Sequence, residues 1–210
     1  MGGSRIGNAE LTTTGGRPAL FLDRDGVLNE PVWDPHTQSA ESPLAVADVV
    51  LVPGAAAAVR RAAAAGLPVV LVSNQPSAAK GIVNLSTLHA VHKRVLELLA
   101  AEGATVQASY LCFHHPAGTV AELARVCDCR KPAPGLLLQA AADLELDLGR
   151  SWLIGDTDAD AGAARQAGLA GVAVVGHLAT AHRRGEASDA ADITASTIKA
   201  AVESVLTRFE

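Results

Sequence analysis

Short apolar runs alternate along this chain with longer, alanine-rich stretches in which apolar positions return at helical spacing. The runs Ala19–Leu22, Pro68–Val72, Ser109–Phe113, Ser151–Ile154 and Gly171–Val175 have strand length and read as strands. The stretches near Ala55–Ala65, Ser86–Ala101, Pro134–Asp143 and Asp158–Ala167 read as helices. In the second helix Leu88, Val91, Val95, Leu98 and Leu99 fall on one face. Pro53 and Gly54 punctuate the start of the first helix and Gly66 its end, and Pro134 suits the first turn of the third. A short strand over Ala191–Thr194 and a helix over Thr197–Phe209 complete the pattern.

Alternation of this kind predicts an α/β fold, a parallel sheet flanked by helices on both faces. Right-handed crossovers then place the carboxyl ends of the strands on one edge. Residues 1–17 are rich in Gly, Ser and Thr and read as a flexible tail, with 18–210 as one domain. The stretch Asn29–Leu51, which contains Pro31, Pro35 and Pro43, is the least regular part after the tail and is expected to be an extended loop.

Composition narrows the picture. The chain is 49% hydrophobic but only 3% aromatic, which favours layered helix packing over an aromatic-rich sandwich. A net charge of −5 argues against a nucleic-acid partner, which needs a basic face, but leaves room for a small anion in a locally positive pocket. No apolar run approaches the ~18 residues of a membrane span, and the first residues lack a signal-peptide core. All three cysteines, Cys112, Cys127 and Cys129, fall within eighteen consecutive positions. Such a set is a poor disulfide framework and a good metal cluster in a reducing compartment. The expectation is a cytoplasmic monomer that works on a small molecule, away from membranes.

Open parallel sheets bind ligands beyond the carboxyl ends of their strands, so the residues after each run matter most. Asp23-Arg24-Asp25-Gly26 follows the first run and Ser73-Asn74-Gln75 the second. A Cys/His loop ending in Arg130-Lys131-Pro132 follows the third, and Gly155-Asp156-Thr157-Asp158-Ala159-Asp160 the fourth. Each alone has a bland reading as a solvated turn or a helix cap. Converging on one rim, they form an all-oxygen pocket suited to Mg²⁺, with a hydroxyl and a lysine to hold phosphoryl oxygens. An aspartate in such surroundings can accept a phosphoryl group.

The segment Phe21-Leu22-Asp23-Arg24-Asp25-Gly26-Val27-Leu28-Asn29 resembles the first motif of the haloacid dehalogenase (HAD) superfamily phosphatases. Val72-Ser73-Asn74-Gln75 resembles the second, Arg130-Lys131-Pro132 the third, and Gly155-Asp156 with Asp160 the fourth. The resemblance spans roughly residues 19–176, with all four motifs in order. It implies a Rossmann-like HAD domain in which Asp23 attacks phosphorus and Asp25 serves as acid, then base. It also implies Mg²⁺ on the carboxylates of Asp23 and Asp156 and the main-chain carbonyl of Asp25. Ser73, with Asn74 beside it, and Lys131 would hold the phosphoryl group. Asp160 stays open between a further metal-shell carboxylate and a helix-turn residue.

Cys112-Phe113-His114 and Cys127-Asp128-Cys129 give a C-x-H plus C-x-C arrangement with twelve residues between His114 and Cys127. Three thiolates and one imidazole form a closed set, which implies structural and not catalytic Zn²⁺. His115 is the alternative ligand, but the spacing favours His114. The other histidines, His36, His89, His92, His177 and His182, show no metal spacing, and His89 and His92 are expected to edge a helix. A zinc loop running into Cys-Arg-Lys-Pro resembles the D-glycero-manno-heptose 1,7-bisphosphate 7-phosphatases and their histidinol-phosphate phosphatase relatives. That resemblance implies no separate cap domain, Arg130 as a substrate-contacting cation and a small phosphorylated sugar as substrate. The chain departs from it at Glu30-Pro31-Val32-Trp33-Asp34-Pro35-His36, at Pro76-Ser77-Ala78-Ala79-Lys80-Gly81 and at Thr157, where those enzymes often have lysine. A heptose bisphosphate ranks first as substrate and histidinol phosphate or another small metabolite second. A DNA-end phosphatase and an inactive binding protein rank last.

Overall fold

The computed structural model describes residues 15–34, 38–176 and 191–209. Most of the tail expected at 1–17, and His36, His177 and His182, lie outside the described residues. In chain order the elements are β1 (Leu20–Leu22), β2 (Val32–Asp34), β3 (Ser39–Glu41), α1 (Ala55–Ala64), β4 (Val69–Asn74), α2 (Leu85–Ala101) and β5 (Ala108–Cys112). Then follow α3 (Gly135–Leu144), β6 (Trp152–Gly155), α4 (Asp158–Gln166), β7 (Gly171–Val175), β8 (Ile193–Ala195) and α5 (Ile198–Leu206).

Six strands form one sheet in the order β5-β4-β1-β6-β7-β8. Every neighbouring pair in it is parallel. Alternation along each strand divides the apolar residues between two cores. Leu20, Leu22, Val69, Leu71, Trp152, Ile154, Ala173 and Val175 face a core shared with α1, α2 and α5. Phe21, Val70, Val72, Leu153 and Val172 face the other, shared with α3 and α4. The continuous apolar runs are therefore continuous because both faces are covered. β7 packs closely there: a Cβ on Gly171 would stand 2.4 Å from the Trp152 ring.

The predicted helical face of α2 is the buried one, with Leu88, Val91, Val95 and Leu99 shielded from solvent. Gly66 closes the turn after α1 at φ +82°, a conformation that favours glycine. The segment expected to be a loop at 29–51 differs from expectation in one respect. Val32–Asp34 and Ser39–Glu41 pair there as an antiparallel hairpin, followed by a 3₁₀ turn at Val46–Asp48. No described helix is long and apolar enough to cross a membrane.

Candidate active site

Three strand ends meet at a cleft of about 500 Å³ lined by Asp23, Asp25, Ser73, Asn74, Arg130, Lys131 and Asp156. These are the catalytic, phosphate-holding and magnesium-site residues expected from sequence, so the structure brings all of them together. Ser42, from just beyond β3, and Lys80, from the segment after β4, also line it.

At the end of β1 the chain turns sharply. The Asp23 N–H donates to the Ile154 carbonyl, while the Leu28 and Asn29 N–H groups donate back to the Arg24 carbonyl. Gly26 sits in this turn at φ +82°, and a Cβ there would stand 2.2 Å from Asp156 Oδ2. Only glycine lets the Asp156 carboxylate lie against the turn.

Lys131 is buried and holds the site together. Its Nζ donates to the Val72 carbonyl (2.9 Å) and Asp160 Oδ1 (2.5 Å), and lies 2.8 Å from Asp23 Oδ1. Burial pulls its pKa down, but the carboxylates of Asp160 and Asp23 more than offset this and leave it above the ordinary lysine range. Asn74 fixes the Lys131 backbone from both sides. Its Nδ2 donates to the Lys131 carbonyl (2.9 Å) and its Oδ1 accepts from the Lys131 N–H (3.0 Å).

Burial pushes the Asp23 carboxyl up to about 6, with Lys131 pulling the other way and Asp160 and Asp25 adding to the rise. For Asp25 burial would also raise the pKa. The Arg24 guanidinium, then hydrogen bonds from Ser42, Asn29 and Gln75, outweigh it and hold Asp25 below the usual carboxylate range. Asp25 Oδ1 accepts from Arg24 Nε, an Arg24 terminal nitrogen and Asn29 Nδ2. Its Oδ2 accepts from Arg24, Gln75 Nε2 and Ser42 Oγ. Arg24 is fully buried.

The carboxylates of Asp23, Asp156 and Asp160 place oxygens within 4.8 Å of one another, all shielded from water. Three carboxylates against the single ammonium of Lys131 leave buried negative charge, and an all-oxygen donor set fits a hard divalent cation such as Mg²⁺. Both oxygens of Asp160 are otherwise engaged. Lys131 takes Oδ1, and the N–H and hydroxyl of Thr157 take Oδ2 in a capping box at the start of α4. The helix-turn reading of Asp160 thus has direct geometry behind it, with partnership to Lys131 as a second duty.

The Cys/His cluster assembles beside the cleft. Cys112, Cys127 and Cys129 have Sγ–Sγ separations of 3.0 to 3.7 Å, and His114 Nδ1 lies 3.3 Å from Cys129 Sγ. A tetrahedral zinc with ~2.3 Å bonds to sulfur has edges of roughly 3.8 Å, so the donor set and spacing fit one ion. His114 and not His115 faces the sulfurs, since His115 Nδ1 accepts from the Ala117 N–H. His114 Nε2 lies 2.7 Å from an Arg125 nitrogen. With Nδ1 on a metal, Nε2 carries the proton, and the exposed Arg125 must turn aside. Burial first, then crowding by the other two thiols, pushes the Cys129 thiol up, and a cation among the sulfurs would reverse this.

Arg24, Asn29, Ser42 and Gln75 were assigned no role from sequence. Gln75 had a signal: it stands two residues beyond Ser73 at a strand end, where side chains alternate, so the two share a side. Ser42 had none, because only the hairpin brings it to Asp25. His89 edges α2 as expected and packs its ring against Phe113 at 5.1 Å. His92, expected at the edge, is instead buried, because it stands four residues after Leu88 and three before Val95 on the packed face.

A HAD-hydrolase-like family model matches residues 128–201. The chain is 41% identical over 199 residues to the D-glycero-D-manno-heptose-1,7-bisphosphate 7-phosphatase of Thermosynechococcus vestitus, covering 92% of this chain and 97% of that one. It is 37% identical over 155 residues to the D-glycero-beta-D-manno-heptose-1,7-bisphosphate 7-phosphatase of Rhodopseudomonas palustris, covering 74% and 82%. Among solved structures, a HAD-like phosphatase from Mesorhizobium loti superposes with a TM-score of 0.73 at 38% identity, over 93% of this chain and 87% of that one. The D,D-heptose 1,7-bisphosphate phosphatase of B. bronchiseptica, complexed with magnesium and phosphate, superposes with a TM-score of 0.71 at 29% identity, over 90% and 98%.

Proposed function

Because the chain belongs to the HAD-like hydrolases, in the family of the heptose-1,7-bisphosphate 7-phosphatases, we propose that it removes the 7-phosphate of a D-glycero-D-manno-heptose 1,7-bisphosphate with Asp23 as nucleophile. The observation that carries this reading is the buried set of Asp23, Asp156 and Lys131 opening onto a cleft that Ser73 and Arg130 also line. The cleft has the size of an ordinary small-molecule site, which suits a phosphorylated sugar. In this reading the protein is a monomer acting on a free metabolite.

The reaction then has two halves. An Asp23 oxygen bonds to phosphorus as the ester P–O bond breaks, and Asp25, which takes up a proton once the bound phosphate adds its negative charge to the site, gives that proton to the departing alcohol oxygen. Water next bonds to phosphorus while Asp25 takes the water's proton, and the Asp23–phosphorus bond breaks to release inorganic phosphate. Ser73 and Lys131 hold the equatorial phosphoryl oxygens, and Arg130 meets a further anionic group of the substrate. The Asp23 and Asp156 carboxylates and the Asp25 carbonyl would hold Mg²⁺, which would supply charge that offsets repulsion between nucleophile and phosphate. Zn²⁺ held by Cys112, His114, Cys127 and Cys129 has no open position and would serve only to order the loop.

Phosphate release from a panel of phosphorylated sugars and histidinol phosphate, with Mg²⁺ present, tests the assignment. Heptose 1,7-bisphosphate should be the best substrate. Asp23→Asn, which removes the attacking oxygen without changing shape, should lower turnover by several orders of magnitude. Near wild-type turnover in that variant would exclude Asp23 as nucleophile.

A further inference from the structure

Behind the cleft wall lies a side chain that the two-step reaction does not use. Gln75 is buried, with 1% of its surface exposed, and its main-chain N–H donates to the Cys112 carbonyl (2.7 Å). Its amide makes three contacts. Oε1 accepts from Arg24 (2.8 Å), while Nε2 donates to Asp25 Oδ2 (2.7 Å) and to Ser73 Oγ (3.1 Å). The geometry points to Gln75 as a positioning residue that ties Ser73, on the phosphoryl group, to Asp25, on the departing oxygen. It thereby sets where Asp25 stands relative to the bond that breaks. The inference rests on the phosphatase reading of Asp23 and Asp25.

The orientation of the amide is fixed by its neighbours. Turned over, it would aim its carbonyl oxygen at the Asp25 carboxylate and its NH₂ at the Arg24 guanidinium, both repulsive. Glutamate would set a second carboxylate against Asp25, and an apolar residue would leave the buried Arg24 short of an acceptor. Of the four residues that donate to Asp25, Ser42 alone also lines the cleft. Oδ2, which accepts from Arg24, Ser42 and Gln75, is thus held both from the cleft wall by Ser42 and from behind it by Gln75. Gln75 spans from that oxygen to the Ser73 hydroxyl, so a rigid amide fixes the spacing between the phosphoryl grip and the proton donor. General acid catalysis depends on this spacing, because proton transfer requires hydrogen-bond contact with the leaving oxygen.

A role for Gln75 in positioning Asp25 makes a prediction that a purely structural role does not. An alkyl phosphate needs a proton on its leaving oxygen, whereas p-nitrophenyl phosphate leaves as a stable phenolate without one. In Gln75→Met, first-turnover cleavage of heptose 1,7-bisphosphate should slow by about 10²-fold, the cost of displacing a catalytic group by roughly 1 Å. The p-nitrophenol burst from p-nitrophenyl phosphate should keep its wild-type rate, with slower turnover afterwards because Asp25 must still activate water. Gln75→Asn keeps the amide but is too short to span Ser73 and Asp25, so it should show the same split and serves if the methionine variant does not fold. Equal slowing of both first turnovers, or slowing of neither, would overturn the inference. Asp23→Asn measured alongside separates the two levels of argument. If Asp23→Asn is inactive and Gln75 shows no split, only the positioning role fails. If Asp23→Asn keeps its turnover, the phosphatase chemistry beneath it fails.

Discussion

On α2 the imidazole of His92 is buried, and burial, then the charges of Arg24 and His89, bring its pKa down to about 4 against the small opposing pull of Asp25. Between about 4 and the ordinary value of 6.5 the unfolded chain therefore binds a proton that the folded chain does not. Stability rises with pH through that window and is lost as pH falls from 6.5 towards 4. His92→Gln cannot titrate, so its urea midpoint should vary less than that of wild type across those pH values. An unchanged slope would show that other groups carry the acid sensitivity. This residue also marks what sequence reading reaches. The Asp23 and Asp156 carboxylates were legible because each follows an apolar run, and Lys131 because it closes the Cys/His loop. Asn74 was expected to bind substrate, yet its amide is spent on the Lys131 backbone, since both oxygen and nitrogen find partners that only the tertiary fold supplies.

At the level of elements, the strands and helices could be read almost to their ends, because continuous apolar runs and helical repeats each have one stable solution when both sheet faces are covered. The β2–β3 hairpin could not. Its strands are three residues each, and Trp33 points to solvent, so no apolar alternation marks them. The loop between Cys112 and Cys129 shows the opposite case, legible in its ligands but lacking a core. Of its larger apolar residues, Val126 is exposed, while Val120 and Leu123 are only half-buried. The loop leans on the chain after β4, where Thr119 and Val120 donate N–H bonds to the Ala79 carbonyl. A metal on the four ligands would supply the remaining order. Cys129→Ser should lower the thermal midpoint and, by releasing Arg130 and Lys131, slow catalysis by about 10²-fold. Elemental analysis should find one zinc per wild-type chain. Full activity in Cys129→Ser would detach the loop from the reaction.

Across the whole molecule, the active site sets function against stability. Asp23 and Asp160 share one buried ammonium and Asp156 lies within 4.8 Å of both carboxylates, an arrangement that favours a bound cation and strains the fold without one. A hundredfold excess of Mg²⁺ over its Kd should stabilise the protein by about 2.7 kcal/mol, and Asp23→Asn should melt higher than wild type in EDTA while losing its turnover. A lower melting point for Asp23→Asn in EDTA would show that the Lys131 pairing outweighs the crowding. The chain also carries its own optical record of such events. Its two tryptophans sit in opposite surroundings: Trp33 is 64% exposed on the hairpin, and Trp152 is 6% exposed against Gly171 in the sheet. Trp33 therefore emits at the long wavelengths of a hydrated indole and Trp152 at the short wavelengths of a dry one. The hairpin strand opposite Trp33 runs directly into Ser42 at the cleft, so a change confined to the red side of the spectrum reports the substrate side. A change on the blue side reports the sheet coming apart, and the two can be followed in one cuvette without any attached dye.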